Sequence, residues 1–205
     1  MLDKQPQIEQ LKPLLRKVIE ILGEDPDREG LKRTPERWAE ALLTYTEGTH
    51  QVPQQHLQVM YQLDDEYYPS DSDDMVIIDN IEFVSTCEHH IAPFRGVAHV
   101  AYIPNPNTRM IVGLSKVSRV VDLLSQRLQV QERLTRELAQ AIYEHLGANG
   151  VIVVLQAVHY CMIQRGVKQR SSTTTTTARF GDFLRNPVLE TKFQEYLRIR
   201  NHDLG

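Results

Sequence analysis

The chain has 205 residues, 41% of them hydrophobic, a formal net charge of -4 and two cysteines. That is enough apolar material for one compact domain with a sizeable core. It excludes a strong basic field that would gather nucleic acid or an anionic membrane, and a disulfide-dense secreted scaffold. No apolar run reaches transmembrane length and no apolar stretch opens the chain, so the expected compartment is a reducing cytoplasm, with no membrane partner.

Ile8, Leu11, Leu14, Leu15, Val18, Ile19 and Leu22 recur at helical spacing over residues 7–22, and Gly23 follows as the expected C-cap. Thr34-Pro35-Glu36-Arg37 reads as a second helix start, with Thr34 as N-cap, Pro35 at the first helical position and an acid in the first turn. Residues 46–75 are polar, with Asp64-Asp65-Glu66 and Asp71 to Asp74, and read as solvated loop. The expected organisation is a helical region over 1–65 and a catalytic region over 66–205, together one structural unit.

From Met75 the pattern turns to β. Residues 75–78 and 81–84 run into Cys87. Residues 95–104 alternate with apolar side chains on both faces, so this strand is expected to be covered on both sides. A helix beginning near Ser115 carries Val117, Val120, Val121, Leu124 and Leu128 as a stripe. A second helix over 130–146 is ended by Gly147 and Gly150. Residues 151–164 read as one long strand and 171–177 as another, because threonine is β-branched. Asn186-Pro187 opens a last helix to about residue 198. The order helix, helix, β-β-α-α-β-β predicts an α+β fold: a four-stranded antiparallel sheet with two helices on one face. Its exposed edges invite pairing with other subunits.

Both cysteines fall in histidine clusters, Cys87-Glu88-His89-His90 and His159-Tyr160-Cys161. Thiolate and imidazole are the donors zinc prefers, and Cys-x-x-His is a usual ligand spacing. Cys87, His90 and Cys161 then give three protein ligands, the count of a catalytic zinc site with one position open. His89 and His159 remain as acid–base groups. A lone histidine on an apolar strand is ordinarily a satisfied core residue; here the second Cys/His cluster reverses that. On one long strand, His159, Cys161 and Arg165 would share a face, successive positions about 6.5–7 Å apart. Glu88 has three open roles: ordering a histidine, touching substrate, or facing solvent. Ser115, Lys116 and Arg119 cluster at a helix N-terminus, a ready anion site. With Arg165 they point to an anionic substrate such as a phosphate ester beside the zinc. Gln131 and Glu132 open the next helix. An acid there suits the helix dipole, or the pair reads a purine edge through hydrogen bonds.

Thr34-Pro35-x-Arg37, Cys87-Glu88-His89-His90, Gly113-Leu114-Ser115-Lys116, Gln129-Val130-Gln131-Glu132-Arg133-Leu134-Thr135 and His159-Tyr160-Cys161 together resemble GTP cyclohydrolase I, over about residues 10–198. The resemblance implies a tunnelling fold whose sheets join into a barrel in a homo-oligomer, usually a decamer of two pentamers with sites between subunits. It implies hydrolysis of GTP to 7,8-dihydroneopterin triphosphate and formate, at the start of tetrahydrofolate or related pterin synthesis. It implies Cys87, His90 and Cys161 as zinc ligands, His89 and His159 as the proton-transfer pair, and Glu132 with Gln131 as the guanine anchor. Ser115, Lys116, Arg119 and Arg165 become triphosphate and ribose contacts, with Ser115 assisting at the ribose. Arg37 matches an arginine that reaches a neighbouring subunit's triphosphate. Glu40 departs from the pattern: bacterial members can carry lysine there, and an acid is expected to weaken triphosphate binding. A nitrile reductase or pterin aldolase of the same fold, and a zinc-stiffened purine-binding scaffold, are the competing expectations.

Overall fold

The computed structural model describes residues 4–58, 60–64 and 74–203. Helices α1 (Gln5–Ile21) and α2 (Thr34–Tyr45) open the chain and pack together through Ile8, Leu15 and Ala39, with Trp38 and Leu42 at the margin. Gly23 follows α1 at φ 85°. Thr34 is not the N-cap. Arg33 holds that position, and no side chain caps the helix. The preceding turn already satisfies the backbone, since Thr34 N–H donates to Leu31 O at 2.9 Å.

The expected loop over 46–75 is partly built. It forms 3-10 turns at Glu47–His50 and Pro53–Gln55 and a short strand, β1 (Met60–Gln62). Backbone contacts hold it. Gly48 N–H donates to Gln126 O at 2.9 Å, and the Arg127 guanidinium donates to Gly48 O and Gln51 O at 2.9 and 2.8 Å. Local composition carries no signal for contacts of that kind. The acids Asp65, Glu66 and Asp71 to Asp73 lie outside the described residues.

Next come β2 (Val76–Cys87), β3 (Ala92–Ile103), β4 (Met110–Val112), α3 (Leu114–Ser125), β5 (Leu128–Gln129) and α4 (Gln131–Leu146). The chain continues with β6 (Gly150–His159), the single turn α5 (Tyr160–Ile163), β7 (Thr174–Gly181), α6 (Asp182–Arg185) and α7 (Pro187–Asp203). The fold is α+β. Four long strands are antiparallel, as expected, and β5 adds a fifth, parallel to the end of β2, giving the order β5-β2-β3-β6-β7. β1 and β4 form a separate pair.

One irregularity sets the faces. Ile78 pairs with Val100 and Ile81 with Ala98, so β2 carries one extra residue there. Asn80 takes up the strain at φ 52°, a conformation Asn tolerates better than most side chains. Side-chain parity reverses across this bulge. Val76 and Ile78 before it, and Ile81, Phe83 and Cys87 after it, all meet the same core. On β6 the matching residues are Val151, Val153, Leu155 and Ala157.

α3 and α4 cover that face through Val117, Val120, Val121, Leu124, Leu134, Leu138 and Ile142, each at most 1% exposed. Full burial of such a side chain stabilises by roughly 1.5–3 kcal/mol, against about 0–1 kcal/mol for an exposed ion pair. The helix–sheet core therefore holds the fold. Among the described residues the other face is covered at one end, where Phe183, Leu189 and Phe193 of α6 and α7 pack on Ala101, Ile103 and Ile152. The expectation that β3 is covered on both sides holds at that end.

The expected strand over 151–164 stops at His159. Its ladder with β7 ends at Ala157 and that with β3 at His159. Beyond that point no neighbouring strand takes the backbone groups, and the chain closes a helical turn, with Gln164 N–H donating to Tyr160 O at 2.9 Å. Cys161 and Arg165 consequently do not lie in a row with His159 on one strand face.

Gly96 sits where β6 approaches closely: a Cβ there would lie 1.9 Å from Gln156 O and 2.7 Å from Ala157 Cα. Neither backbone atom can yield without shifting a central strand. Gly96→Ala is expected to lower the melting temperature by several degrees, reading as a loss of about 1–3 kcal/mol, followed by circular dichroism. An unchanged transition would show that β3 and β6 can separate freely there.

Candidate metal centre and active site

The end of β2, α5 and the first turn of α4 enclose a cavity of about 250 Å³ lined by Cys87, His89, His90, Gln131, Glu132, His159 and Cys161, together with Gln129, Val130, Met162 and Thr174. Cys87 is the last residue of β2 and is buried; Glu88 to Ile91 turn the chain into β3. Cys161 arrives on α5. Both cysteines are free thiols.

The donor atoms of Cys87, His90 and Cys161 all lie within 4.8 Å of one another, and Cys87 Sγ is 3.8 Å from His90 Nδ1. Ligands at zinc–sulfur and zinc–nitrogen bond lengths of about 2.3 and 2.0–2.1 Å stand roughly 3.5–3.8 Å apart around a tetrahedron. The donor set and its spacing fit a borderline-soft divalent ion. The Cys161 thiol is pushed up by burial and then by the neighbouring Cys87. Two thiolates side by side require a cation, which a metal provides. His89 Nδ1 also lies 3.9 Å from Cys87 Sγ, but His89 is outside the group of three mutually close donors.

His159 is held on two sides. Its ring stacks on Phe94, centroids 4.7 Å apart and planes 3° from parallel, and Phe94 is fully buried. Its Nε2 lies 2.8 Å from Gln131 Oε1. Burial lowers the imidazole pKa from its ordinary value, while the Glu132 carboxylate opposes that shift. Glu132 is exposed at the start of α4 and lines the cavity.

Gln131, expected to read a purine edge with Glu132, lines the cavity beside it. It is 1% exposed, and its Nε2 lies 3.1, 3.0 and 3.1 Å from Leu155 O, Thr174 O and Thr176 Oγ1, three acceptors that share two hydrogens. Its amide is occupied inside the protein. Glu88 is exposed on the turn after Cys87. It pairs with Arg133, whose guanidinium also donates to Gln129 Oε1 and Leu128 O. That hydrogen bond holds the Glu88 carboxyl below its usual range. With Glu88 N–H donating to Gln129 O at 3.0 Å, the pair ties the metal turn to α4.

Ser115, Lys116, Arg119, Arg165 and Arg37 do not line the cavity. Arg165 follows α5 closely enough for its charge to favour the Cys161 thiolate. Arg37 is exposed on α2, as is Glu40. Ser115, Lys116 and Arg119 open α3, whose other end meets β2 near the metal turn, Ser85 Oγ donating to Ser125 O at 2.7 Å. Ten residues of helix, about 15 Å, separate Ser115 from that contact. The motifs bring out the donors and histidines but not Phe94, Thr174 or Thr176. Their place depends on strand register, Phe94 lying opposite His159 and Thr174 opposite Ala157.

Losing an outer partner of a metal ligand costs roughly 10–100-fold in affinity, so deleting a donor should cost more. Cys161→Ala is expected to retain no metal after dialysis against a weak chelator, by elemental analysis, where the wild type stays loaded. Retention by the variant would remove Cys161 from the metal site.

A sequence model described as GTP cyclohydrolase I matches residues 11–198. A protein of Bacteroides fragilis named GTP cyclohydrolase 1 is 47% identical over 204 residues, covering 98% of this chain and all of the relative. Another of that name from Bacteroides thetaiotaomicron is 48% identical, covering 98% of each. One from Alkalilimnicola ehrlichii is 44% identical, covering 93% and 98%. With the two histidine-flanked cysteines folded into one donor group, this places the chain in the GTP cyclohydrolase I family.

Proposed function

We propose that the protein hydrolyses GTP to 7,8-dihydroneopterin triphosphate and formate, using zinc, in the cytoplasm, as the entry to tetrahydrofolate or a related pterin. The observation that carries this reading is the convergence of Cys87, His90 and Cys161 in one cavity with His89, His159 and Glu132. A zinc ion held by those donors supplies a Lewis acid that makes water nucleophilic near neutral pH.

The remaining work falls to side chains. Glu132 accepts hydrogen bonds from the guanine N–H edge and so turns C8 toward the donor group. His159 delivers a proton to N7 as C8 is attacked, and His89 serves the proton transfers that open the ring and release formate. Ser115 of a neighbouring copy assists the opened ribose, which isomerises and closes onto the freed amine. Glu88 and Arg133 position the turn bearing His89 and His90.

The cavity is smaller than the roughly 300–1,000 Å³ pockets that enclose a whole drug-sized ligand, so one chain surrounds only the reacting end. In this reading Ser115, Lys116 and Arg119 at the far end of α3, and Arg37 on α2, serve the triphosphate of a neighbouring copy. The outer edge of β7 has no partner among the described residues, as a sheet that continues into another subunit requires. This supports a tunnelling-fold barrel built by oligomerisation, expected as a decamer of two pentamers, with the helical region over 1–65 flanking the catalytic region over 66–205.

Purified zinc-loaded protein is expected to release formate and a pterin that fluoresces on oxidation, both lost in Cys161→Ala. Neither product from a metal-replete oligomer would refute the cyclohydrolase reading. For the shared site, His159→Asn and Arg119→Ala are each expected to be nearly inactive. Co-assembled in equal amounts, they should regain activity, since random mixing restores both halves at about one site in four. Mixed oligomers with no recovery would place both halves on one chain.

A further inference from the structure

We infer that Gln131 is a positioning residue that locks His159 in a single tautomer, with the proton on Nε2, leaving Nδ1 as the only ring nitrogen that exchanges protons with substrate. This rests on the assignment of His159 to proton transfer above: the bare Nδ1 takes the proton given up by the attacking water and passes it to N7.

The inference follows from counting hydrogens. A glutamine amide has one donor end and one acceptor end, and which is which must be read from its partners. The Gln131 nitrogen end lies 3.1 Å from Leu155 O and 3.0 Å from Thr174 O. Both are carbonyl oxygens, which only accept. Reversing the amide would press its oxygen against two acceptors in a site 1% exposed, so the orientation is fixed. Oε1 therefore faces His159 Nε2, at 2.8 Å. An oxygen that only accepts demands a hydrogen on Nε2. A neutral imidazole carries one such hydrogen, so Nδ1 holds the lone pair.

The surrounding hydroxyls reinforce this direction. Thr135 Oγ1 donates to Gln131 O at 2.6 Å. Its own oxygen is then free to accept from Thr176, 2.6 Å away, and Thr176 Oγ1 to accept from Gln131 at 3.1 Å. The two Gln131 N–H hydrogens are shared among Leu155 O, Thr174 O and Thr176 Oγ1. Phe94 fixes the plane of the imidazole by stacking, and Gln131 fixes its rotation within that plane. Neither device touches the reacting atoms. A histidine whose tautomer is set by the partner of its other nitrogen is a familiar arrangement, and here the partner is a buried amide.

The test reads the tautomer directly. Zinc-loaded protein is labelled with nitrogen-15 histidine and carbonyl-carbon-13 valine, sedimented, and examined by magic-angle-spinning NMR without GTP. Val158-His159 is the single Val-His pair in the sequence, so the carbonyl label selects His159 among the eight histidines. The expected spectrum shows a protonated Nε2 and a bare Nδ1, unchanged in Thr176→Val, which loses a hydroxyl of the network but keeps the amide. In Gln131→Met the ring should populate both tautomers, and kcat should fall by about 10²-fold with KM nearly unchanged. A bare Nε2 in the wild type would overturn the inference without any variant. So would a Gln131→Met protein that keeps Nε2 protonated or keeps full kcat. The wild-type spectrum is independent of turnover: a protonated Nε2 in a protein that leaves GTP intact would retain the lock and reject the cyclohydrolase reading.

Discussion

Two soft donors, Cys87 and Cys161, reach the candidate metal site from opposite flanks of one strand, and the architecture at that end of the sheet brings them within the reach of a single ion. β3 pairs with β2 on one side and β6 on the other. The hairpin at Glu88 to Ile91 and the end of β6 therefore meet at the same edge of the sheet. α5 then turns the chain so that Cys161 closes on Cys87. A strand running on past His159 would carry its side chains away from β2 at about 3.3 Å per residue. The helical turn keeps them local.

The forces that hold this arrangement differ in kind. The core under α3 and α4 supplies the stability. The polar network above it supplies definition. Gln131 is nearly inaccessible to water, and breaking one of its bonds leaves a buried polar group unsatisfied, at a cost of about 1–3 kcal/mol. The Glu88–Arg133 pair is more exposed and acts chiefly through the geometry of a guanidinium spread over a carboxylate, an amide oxygen and a backbone carbonyl. α4 thus joins both networks within its first turn, with Gln131 pointing inward, Glu132 at the cavity and Arg133 reaching the metal turn.

Much of this was legible in the sequence, and for identifiable reasons. Helices α1, α3 and α4 announce themselves by apolar spacing, and Gly147 ends α4 at φ 57° as its position suggests. The donors were legible because thiol and imidazole seldom cluster without cause. What could not be read was anything decided by distant register. The end of β6 depends on where β3 and β7 stop pairing. The role of Gln131 depends on carbonyls of β6 and the β7 edge that lie far along the chain. A glutamine at a helix start has the same appearance whether its amide meets a ligand or a threonine tract. Phe94 was silent for the same reason, being one apolar residue among many until pairing places it opposite His159.

The extra residue between Ile78 and Ile81 has an implication for descent. Because parity reverses there, Cys87 faces the helices only while that count is kept. Substitutions within the bulge leave the face of the cysteine untouched, but adding or removing a single codon would send it to the opposite side of the sheet. In this stretch natural selection should therefore act on chain length more strictly than on residue identity, and aligned relatives should diverge freely in spelling there while admitting no gap.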